Sequence, residues 1–135
     1  MHEEATAAFA RRRRVVEAAT GVFLRYGYAR TTMADIAQAA GLSRPTLYLT
    51  FPDKEGVFQA VIETMVATKL ATIHNGLSKQ LSLDAKLRFA CESWGAEGFE
   101  LVRANPDAKD AFDLSFARVR QGYAAFEELL AELLR

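Results

Sequence analysis

The side chains best suited to recognising another molecule lie in one short run, RPTLYLT, at residues 44–50. A guanidinium such as that of Arg44 can donate two hydrogen bonds to guanine, which is worth about 1–3 kcal/mol of discrimination between bases. A short helix that presents polar groups from its N-terminal turn suits the major groove of DNA. The run therefore predicts double-stranded DNA as a partner. A phosphate contact or a solvated side chain is the alternative for Arg44.

Two short helices joined by a tight turn are expected to position this run. The first helix is predicted over Met33–Ala40, and the turn follows at residues 41–43. Gly41 is free to adopt the positive φ that such a turn needs. Ser43 can cap the second helix, and Pro45 is tolerated in its first turn because it has no amide hydrogen to lose there. Leu47 is expected to point back to the core.

The same residues carry a family resemblance. The match begins in VVEAATGVFLRYGY (Val15 to Tyr28) and continues through TT-x-x-x-IA-x-x-AGLS and PTLY-x-x-F-x-x-KE. This pattern resembles the DNA-binding domain of the TetR family of bacterial transcription regulators. The resemblance extends into the next helix and covers roughly the first half of the chain, and the second half is similar only in its helical pattern. It implies a three-helix DNA-binding domain followed by a helical bundle that binds an effector.

The resemblance assigns DNA contacts to several positions. It implies that Pro45 presses on a thymine methyl group, that Thr46 and Tyr48 contact the DNA backbone or base edges, and that Lys54 binds a phosphate. Thr50 stands where many members carry a hydrogen-bonding residue beside the phosphates. For Tyr48, a half-buried core position is the alternative interpretation.

Other residues near the run can attract phosphates through their own chemistry. Thr31 and Thr32 lie at the predicted start of the first short helix, where hydroxyls and backbone amides together favour an anion. For Thr32, a capping role is the alternative. The arginines of residues 11–14 are interpreted either as a basic arm beside the duplex or as a solvated helix face.

The remaining pattern is helical throughout, so the predicted fold class is all-α. The first helix is expected over about Phe9–Tyr26, and a long helix is expected from Pro52-Asp53 to Asn75-Gly76. Ser82 should start another helix, and Asn105 should cap a further one with Pro106 in its first position. Gly122 is expected either to break or to bend the last helix.

Large apolar side chains in the second half could line a cavity for an apolar or aromatic effector. Core packing is the alternative for each of them. The ligand-binding candidates are Phe89, Trp94, Phe112, Phe116 and Tyr123.

Composition argues against several classes of protein. The chain has 135 residues, two histidines and one cysteine, and it shows neither a metal-ligand cluster nor a glycine-rich phosphate loop. We therefore expect no enzyme, no metal and no cofactor. A single cysteine suits a reducing compartment, and no uncharged run is long enough to span a bilayer, so a cytoplasmic protein without a membrane partner is predicted.

Charge and pattern divide the chain into two predicted domains. Residues 1–56 hold 8 Lys and Arg against 6 Asp and Glu and are assigned to the helix-turn-helix domain, whereas residues 57–135 hold 9 against 11 and are assigned to regulation. The resemblance implies two further helices that pair with a second subunit. They are missing from this sequence, which is interpreted either as a fragment or as a naturally short member, and a homodimer is expected of the full-length form.

The sequence thus predicts a DNA-binding transcription regulator that acts on a palindromic operator. Following the resemblance, we interpret it as a repressor released from DNA by a small apolar or aromatic effector. The alternative is a DNA-binding or protein-interaction helical module that senses no small molecule.

Overall fold

The computed structural model describes residues 2–113 and 116–135. In these ranges the chain forms helices and no strand, which confirms the all-α prediction. The α-helices are α1 (His2–Tyr26), α2 (Met33–Ala40), α3 (Arg44–Thr50), α4 (Lys54–Leu77), α5 (Leu83–Cys91), α6 (Glu97–Ala104) and α7 (Ala117–Leu133). A π-helical turn, Glu92–Ala96, separates α5 from α6, and a 3₁₀ segment, Pro106–Phe112, follows α6.

The chain divides into two compact units. Unit one consists of Met1–Val61 together with Asp107–Ala111, and unit two consists of Ile62–Pro106 together with Phe112–Arg135. Unit one therefore contains a five-residue segment that lies far along the sequence from α1, α2 and α3. The assignment of functions to residues 1–56 and 57–135 stays a prediction.

The core of unit one is formed by the apolar faces of α1 to α3 and the first turns of α4. The most buried large side chains here are Val15, Ile36, Leu47, Val57, Phe58 and Val61. Helix α1 begins at His2 instead of the predicted Phe9, because residues 2–10 are rich in alanine and glutamate, which favour helix without needing an apolar stripe. Helix α2 has its predicted bounds.

Unit two has its own apolar cluster. Its buried members are Ile73, Leu77, Ala90, Phe126 and Leu129. Ser82 caps α5 as predicted, since its hydroxyl accepts the Ala85 amide at 3.0 Å. Arg118 of α7 forms an ion pair of 2.7 Å with Glu63 of α4, and both side chains are partly exposed.

Three sequence-based expectations about helix ends were met only in part. The segment after α6 begins at Pro106 as expected, but it is 3₁₀-helical, and Asn105 ends α6 with its side-chain amide donating to Leu101 O at 2.8 Å. Helix α4 ends at Leu77, one residue beyond the predicted stop at Asn75-Gly76, and the absent side chain of Gly76 leaves room for the Phe89 ring. Helix α7 continues through Gly122 without a break, and a side chain at this position would clash with Val66.

Helix α4 has the length and apolar composition of a membrane-crossing helix. Its mean hydropathy reaches 1.2 over the best window, of which 33% is buried within the protein. Core helices of water-soluble proteins pass the same test, and the first turns of α4 supply Val57, Phe58 and Val61 to the core of unit one. The property is therefore weak evidence for a membrane.

Candidate nucleic-acid interface

The turn between α2 and α3 has the predicted chemistry. Gly41 adopts φ 68° and ψ 34°, and its amide donates to the carbonyls of Ala37 and Gln38, so it ends α2 in the left-handed conformation. The Leu42 amide also donates to Ala37 O, at 2.9 Å. These bonds satisfy the last carbonyls of α2 and turn the chain sharply into α3.

Ser43 begins α3 as a cap. Its hydroxyl oxygen accepts the Thr46 amide at 3.3 Å and donates to Thr46 Oγ1 at 2.8 Å. Pro45 lies in the first turn, where its missing amide hydrogen costs nothing. At the other end, Thr50 Oγ1 lies 3.4 Å from Thr46 O. Thr46 and Thr50 are both half-buried, so only part of each hydroxyl faces solvent.

The outward face of α3 is open. Leu47 is fully buried, whereas Tyr48 is 46% exposed and Leu49 is 83% exposed. Arg44 and Pro45 are exposed as well. Across residues 2–113 and 116–135 the Arg44 guanidinium has no hydrogen-bond or salt-bridge partner. The surface therefore combines one unpaired cation with apolar and hydroxyl groups, as a reader of base edges requires.

The two threonines before α2 have different environments. Thr31 is only 1% exposed, and its hydroxyl donates to Gly27 O at 2.6 Å, so it has no hydroxyl to offer to a phosphate. Thr32 is exposed and caps α2: its Oγ1 accepts the Asp35 amide at 3.1 Å, and Asp35 Oδ2 accepts the Thr32 amide at 3.0 Å. This capping box brings a carboxylate to the helix start, and the Thr32 hydroxyl, which accepts here, keeps its own hydrogen to donate.

Lys54 begins α4 and reaches the turn after α1. Its Nζ donates to Tyr28 O at 2.8 Å and lies 4.2 Å from the centroid of the Tyr28 ring. The side chain is half-buried. An ammonium group has three hydrogens, so Lys54 can hold this turn and still donate to a phosphate.

Tyr28 is the centre of an aromatic cluster. Its ring stacks on Phe23 at 6.0 Å and meets Phe58 edge-on at 4.8 Å, measured between ring centroids. Partial burial raises the pKa of the Tyr28 hydroxyl, and the negative charges of Glu55 and Asp53 raise it further. Tyr28 therefore stays neutral at physiological pH.

The arginine run of α1 braces the helix-turn-helix. Arg12 lies over the Phe51 ring, and the Arg14 Nη2 donates to Gly41 O at 3.4 Å. Phe51 ends α3 and Gly41 ends α2, so the two arginines contact the C-terminal ends of both helices. Arg13 instead pairs with Glu17 on the exposed surface. Sequence reasoning missed this bracing role, because nothing in the spacing of the run identifies its partners.

The predicted ligand residues are spread through unit two. Trp94 lies in the π-helical turn and stacks on Phe126, with centroids 4.8 Å apart and planes 3° apart. Tyr123 meets the Trp94 ring edge-on at 5.8 Å. Phe112 ends the 3₁₀ segment and Phe116 directly precedes α7, and both are half-buried.

Phe89 contributes to an open recess of about 220 Å³. Its other lining residues are Gln80, Asp84, Ala85, Arg88 and Glu92. The recess is smaller than the roughly 300–1,000 Å³ of ligand pockets. Phe89 lines this recess, whereas Trp94 and Tyr123 contact each other, and a ligand role for the five candidates stays a prediction.

Comparisons with known proteins agree with this architecture. The chain is 39% identical to the transcriptional repressor ComR of Escherichia coli (strain K12) over 51 residues, which cover 38% of this chain and 24% of ComR. It is 30% identical to the transcriptional activator FasR of Mycolicibacterium smegmatis over 101 residues, which cover 70% of this chain and 46% of FasR. The chain thus spans less than half the length of these relatives.

A solved structure supports the fold over most of the chain. The fatty acid degradation regulator FadR from Bacillus halodurans superimposes with a TM-score of 0.72 over 91% of this chain and 65% of its own, at 22% identity. Residues 15–61 match the family model described as bacterial regulatory proteins, tetR family. These residues include α2, the Gly41 turn and α3, the elements that build the exposed face. The domain at residues 15–61 therefore belongs to the tetR family of bacterial regulatory proteins.

Proposed function

We propose that this chain is part of a transcription regulator that recognises a specific DNA sequence through α3. The observation that carries the proposal is the exposed face of α3, on which Arg44 has no partner among the described residues while Leu47 anchors the opposite face in the core. The family match at residues 15–61 and the transcription regulators among its relatives support the same function.

The side chains divide between base reading and phosphate binding. Arg44 donates to a guanine, while Pro45 and Leu49 meet thymine methyl groups. Thr46, Tyr48 and Thr50 offer hydroxyls to base edges or the backbone. Thr32 and Lys54 contact phosphates on either side, which fixes register without reading sequence. In this assignment Thr31 is structural, because its buried hydroxyl is already bonded to Gly27.

The full-length protein acts as a homodimer on a palindromic operator in the cytoplasm. Two recognition helices of a dimer must match half-sites about 34–36 Å apart, so the symmetry of the protein sets the symmetry of the site. The relatives include both a named repressor and a named activator. We assign repression to this chain, and the test is whether a promoter that carries the selected site is silenced when the protein is supplied.

A small apolar or aromatic effector releases the protein from DNA. The aromatic contacts of Trp94 with Tyr123 and Phe126 provide a surface on which a flat apolar molecule could stack in place of one ring. A nearly complete switch requires roughly 5.5 kcal/mol of differential affinity between the two states. Trp94 is the single tryptophan of the chain, so its fluorescence reports directly on binding there.

Selection of binding sites from random duplex DNA at physiological salt tests the DNA-binding proposal. Enrichment of one sequence supports it, and a palindrome with two half-sites supports the dimer as well. Uniform recovery of all sequences contradicts sequence-specific recognition. A screen of apolar compounds against the selected duplex then tests sensing, because a DNA-binding module without an effector would keep the same affinity with every compound.

A further inference from the structure

The turn after α1 is held by a side chain from much later in the chain. Asp110 Oδ1 accepts the Tyr28 amide at 2.8 Å, and Asp110 Oδ2 accepts the Ala29 amide at 2.9 Å. Asp110 belongs to the 3₁₀ segment, whose residues Asp107–Ala111 are part of unit one. Ala108 and Ala111 anchor this segment, since both are buried. A carboxylate that accepts two amide hydrogens forms charge-assisted bonds, which are stronger than bonds between neutral groups.

The backbone of the turn lets the Asp110 carboxylate approach closely. Gly27 ends α1 with φ +82°, and a side chain there would clash with the Asp110 carboxylate and with Asp107 O. The carbonyl oxygen of Tyr28, in the same turn, accepts a hydrogen bond from Lys54 Nζ. The negatively charged Asp110 therefore binds the amide of Tyr28, and the positively charged Lys54 binds its carbonyl oxygen.

The held turn leads directly into proposed DNA contacts. Thr32 follows Ala29 by three residues and begins α2, and Lys54 is itself a proposed phosphate contact. Loss of the two Asp110 hydrogen bonds would leave the Tyr28 and Ala29 amides without these acceptors. The backbone between α1 and α2 could then adopt other conformations. If only a fraction of the molecules keeps the conformation that binds DNA, the apparent affinity for DNA is reduced to that fraction of its full value.

We propose that Asp110 is a positioning residue for DNA binding, through which segment Asp107–Ala111 fixes the α1–α2 turn. The proposal rests on the proposed function, because it concerns how the DNA contacts are presented. It assigns a DNA-binding role to a residue outside the family match at residues 15–61.

The test compares Asp110→Ala with Asp110→Asn and with the matched control Asp107→Ala. Asp107 is an exposed aspartate of the same segment whose side chain has no hydrogen-bond partner in the described residues. Affinity for the selected duplex is measured well below each variant's unfolding midpoint, and the amide NMR signals of Tyr28 and Ala29 are followed in parallel. A residue that only stabilises the fold would lower the midpoint and leave the affinity of the folded protein unchanged.

We expect Asp110→Ala to raise Kd about tenfold, as a fall of the competent population to about one tenth requires. Asp110→Asn keeps one acceptor oxygen, so its Kd should lie between those of the wild type and Asp110→Ala. Asp107→Ala should bind like the wild type. In both Asp110 variants the Tyr28 and Ala29 amide signals should move upfield as their hydrogen bonds weaken.

Each outcome separates this proposal from the proposed function. If the wild type enriches no sequence, the proposed function fails and the DNA role of Asp110 falls with it. If the wild type binds specifically and Asp110→Ala binds equally well, only the role of Asp110 is overturned. If Asp110→Ala does not fold, Asp110→Asn decides, and wild-type affinity with unmoved Tyr28 and Ala29 signals would overturn the proposal.

Discussion

The guanidinium carbon of Arg12 lies 4.7 Å from the centroid of the Phe51 ring, so α1 is joined to the residue that ends α3. Phe51 is buried, and its amide donates to Leu47 O at 2.9 Å. Arg14 connects α1 to the end of α2 in the same way, through a hydrogen bond to Gly41 O. The basic run of α1 thus sets the orientation of the helix-turn-helix from within the protein, whatever it contributes to DNA contact.

Arg12→Ala should lower the free energy of unfolding by about 0.5–1 kcal/mol, the value of a partly exposed cation–π contact. Arg13→Ala is the matched control, because among the described residues Arg13 pairs with Glu17 alone, at the surface, and such pairs contribute about 0.3–0.5 kcal/mol. Urea denaturation of both variants measures the difference. A larger loss for Arg13→Ala than for Arg12→Ala would refute the bracing role.

Lys54→Ala should weaken binding to specific and random duplexes alike. It should also reduce the slope of log affinity against log salt by about 1, because one phosphate contact is lost. The same change removes the bond to Tyr28 O and the contact with its ring, so unfolding should become easier by about 1 kcal/mol. Fluorescence anisotropy over a salt series and urea denaturation measure the two effects. Lys79→Ala, at an exposed lysine with no proposed DNA contact, is the control.

Gly27→Ala and Gly21→Ala should change stability in opposite directions. Gly27 requires the left-handed region, which costs another residue roughly 1–2 kcal/mol, and the added methyl group would also clash with Asp110. Gly21 lies within α1 with open space around it, so alanine should stabilise the helix by about 0.5–1 kcal/mol. Urea denaturation compares the pair, and equal effects would contradict the described turn.

Tyr28 should ionise above its ordinary value of 10.0, since burial and then Glu55 and Asp53 raise its pKa. The folded protein holds this proton more tightly than the unfolded chain does. The contribution of Tyr28 to stability is therefore complete below pH 10 and is lost as the pH rises through the raised pKa. The difference in absorbance at 295 nm between wild type and Tyr28→Phe during an alkaline titration isolates this group. A midpoint at or below pH 10 would be inconsistent with the environment described.

Local chemistry explains which parts of the fold were predictable. The bounds of α2 and the start of α3 follow from Thr32, Gly41 and Ser43, whose preferred backbone conformations and hydrogen bonds act within four residues. The outward face of α3 was equally predictable from the sequence, because Leu47 and its neighbours follow the helical period. Gly122 does not break α7, and the sequence could not show that its missing side chain makes room for Val66, because spacing reveals nothing about distant contacts.

The remaining features depend on contacts between distant residues. Asp110 binds amides 82 and 81 residues earlier, and Arg14 binds a carbonyl 27 residues later. The burial of Thr31 has the same origin, because it depends on how the turn packs and not on the residue type. The predicted ligand residues are apolar side chains at helical spacing, a pattern that core and cavity share.

The most direct test of sequence recognition by α3 compares wild type with Arg44→Ala on the selected duplex, on its single base-pair variants and on random DNA. We expect Arg44→Ala to lose about 1–3 kcal/mol of discrimination at one base pair and to leave the preferences at the other positions unchanged. Affinity for random DNA should fall only by the effect of one lost charge. Equal losses of affinity on the selected and random duplexes, with every base preference retained, would contradict the account.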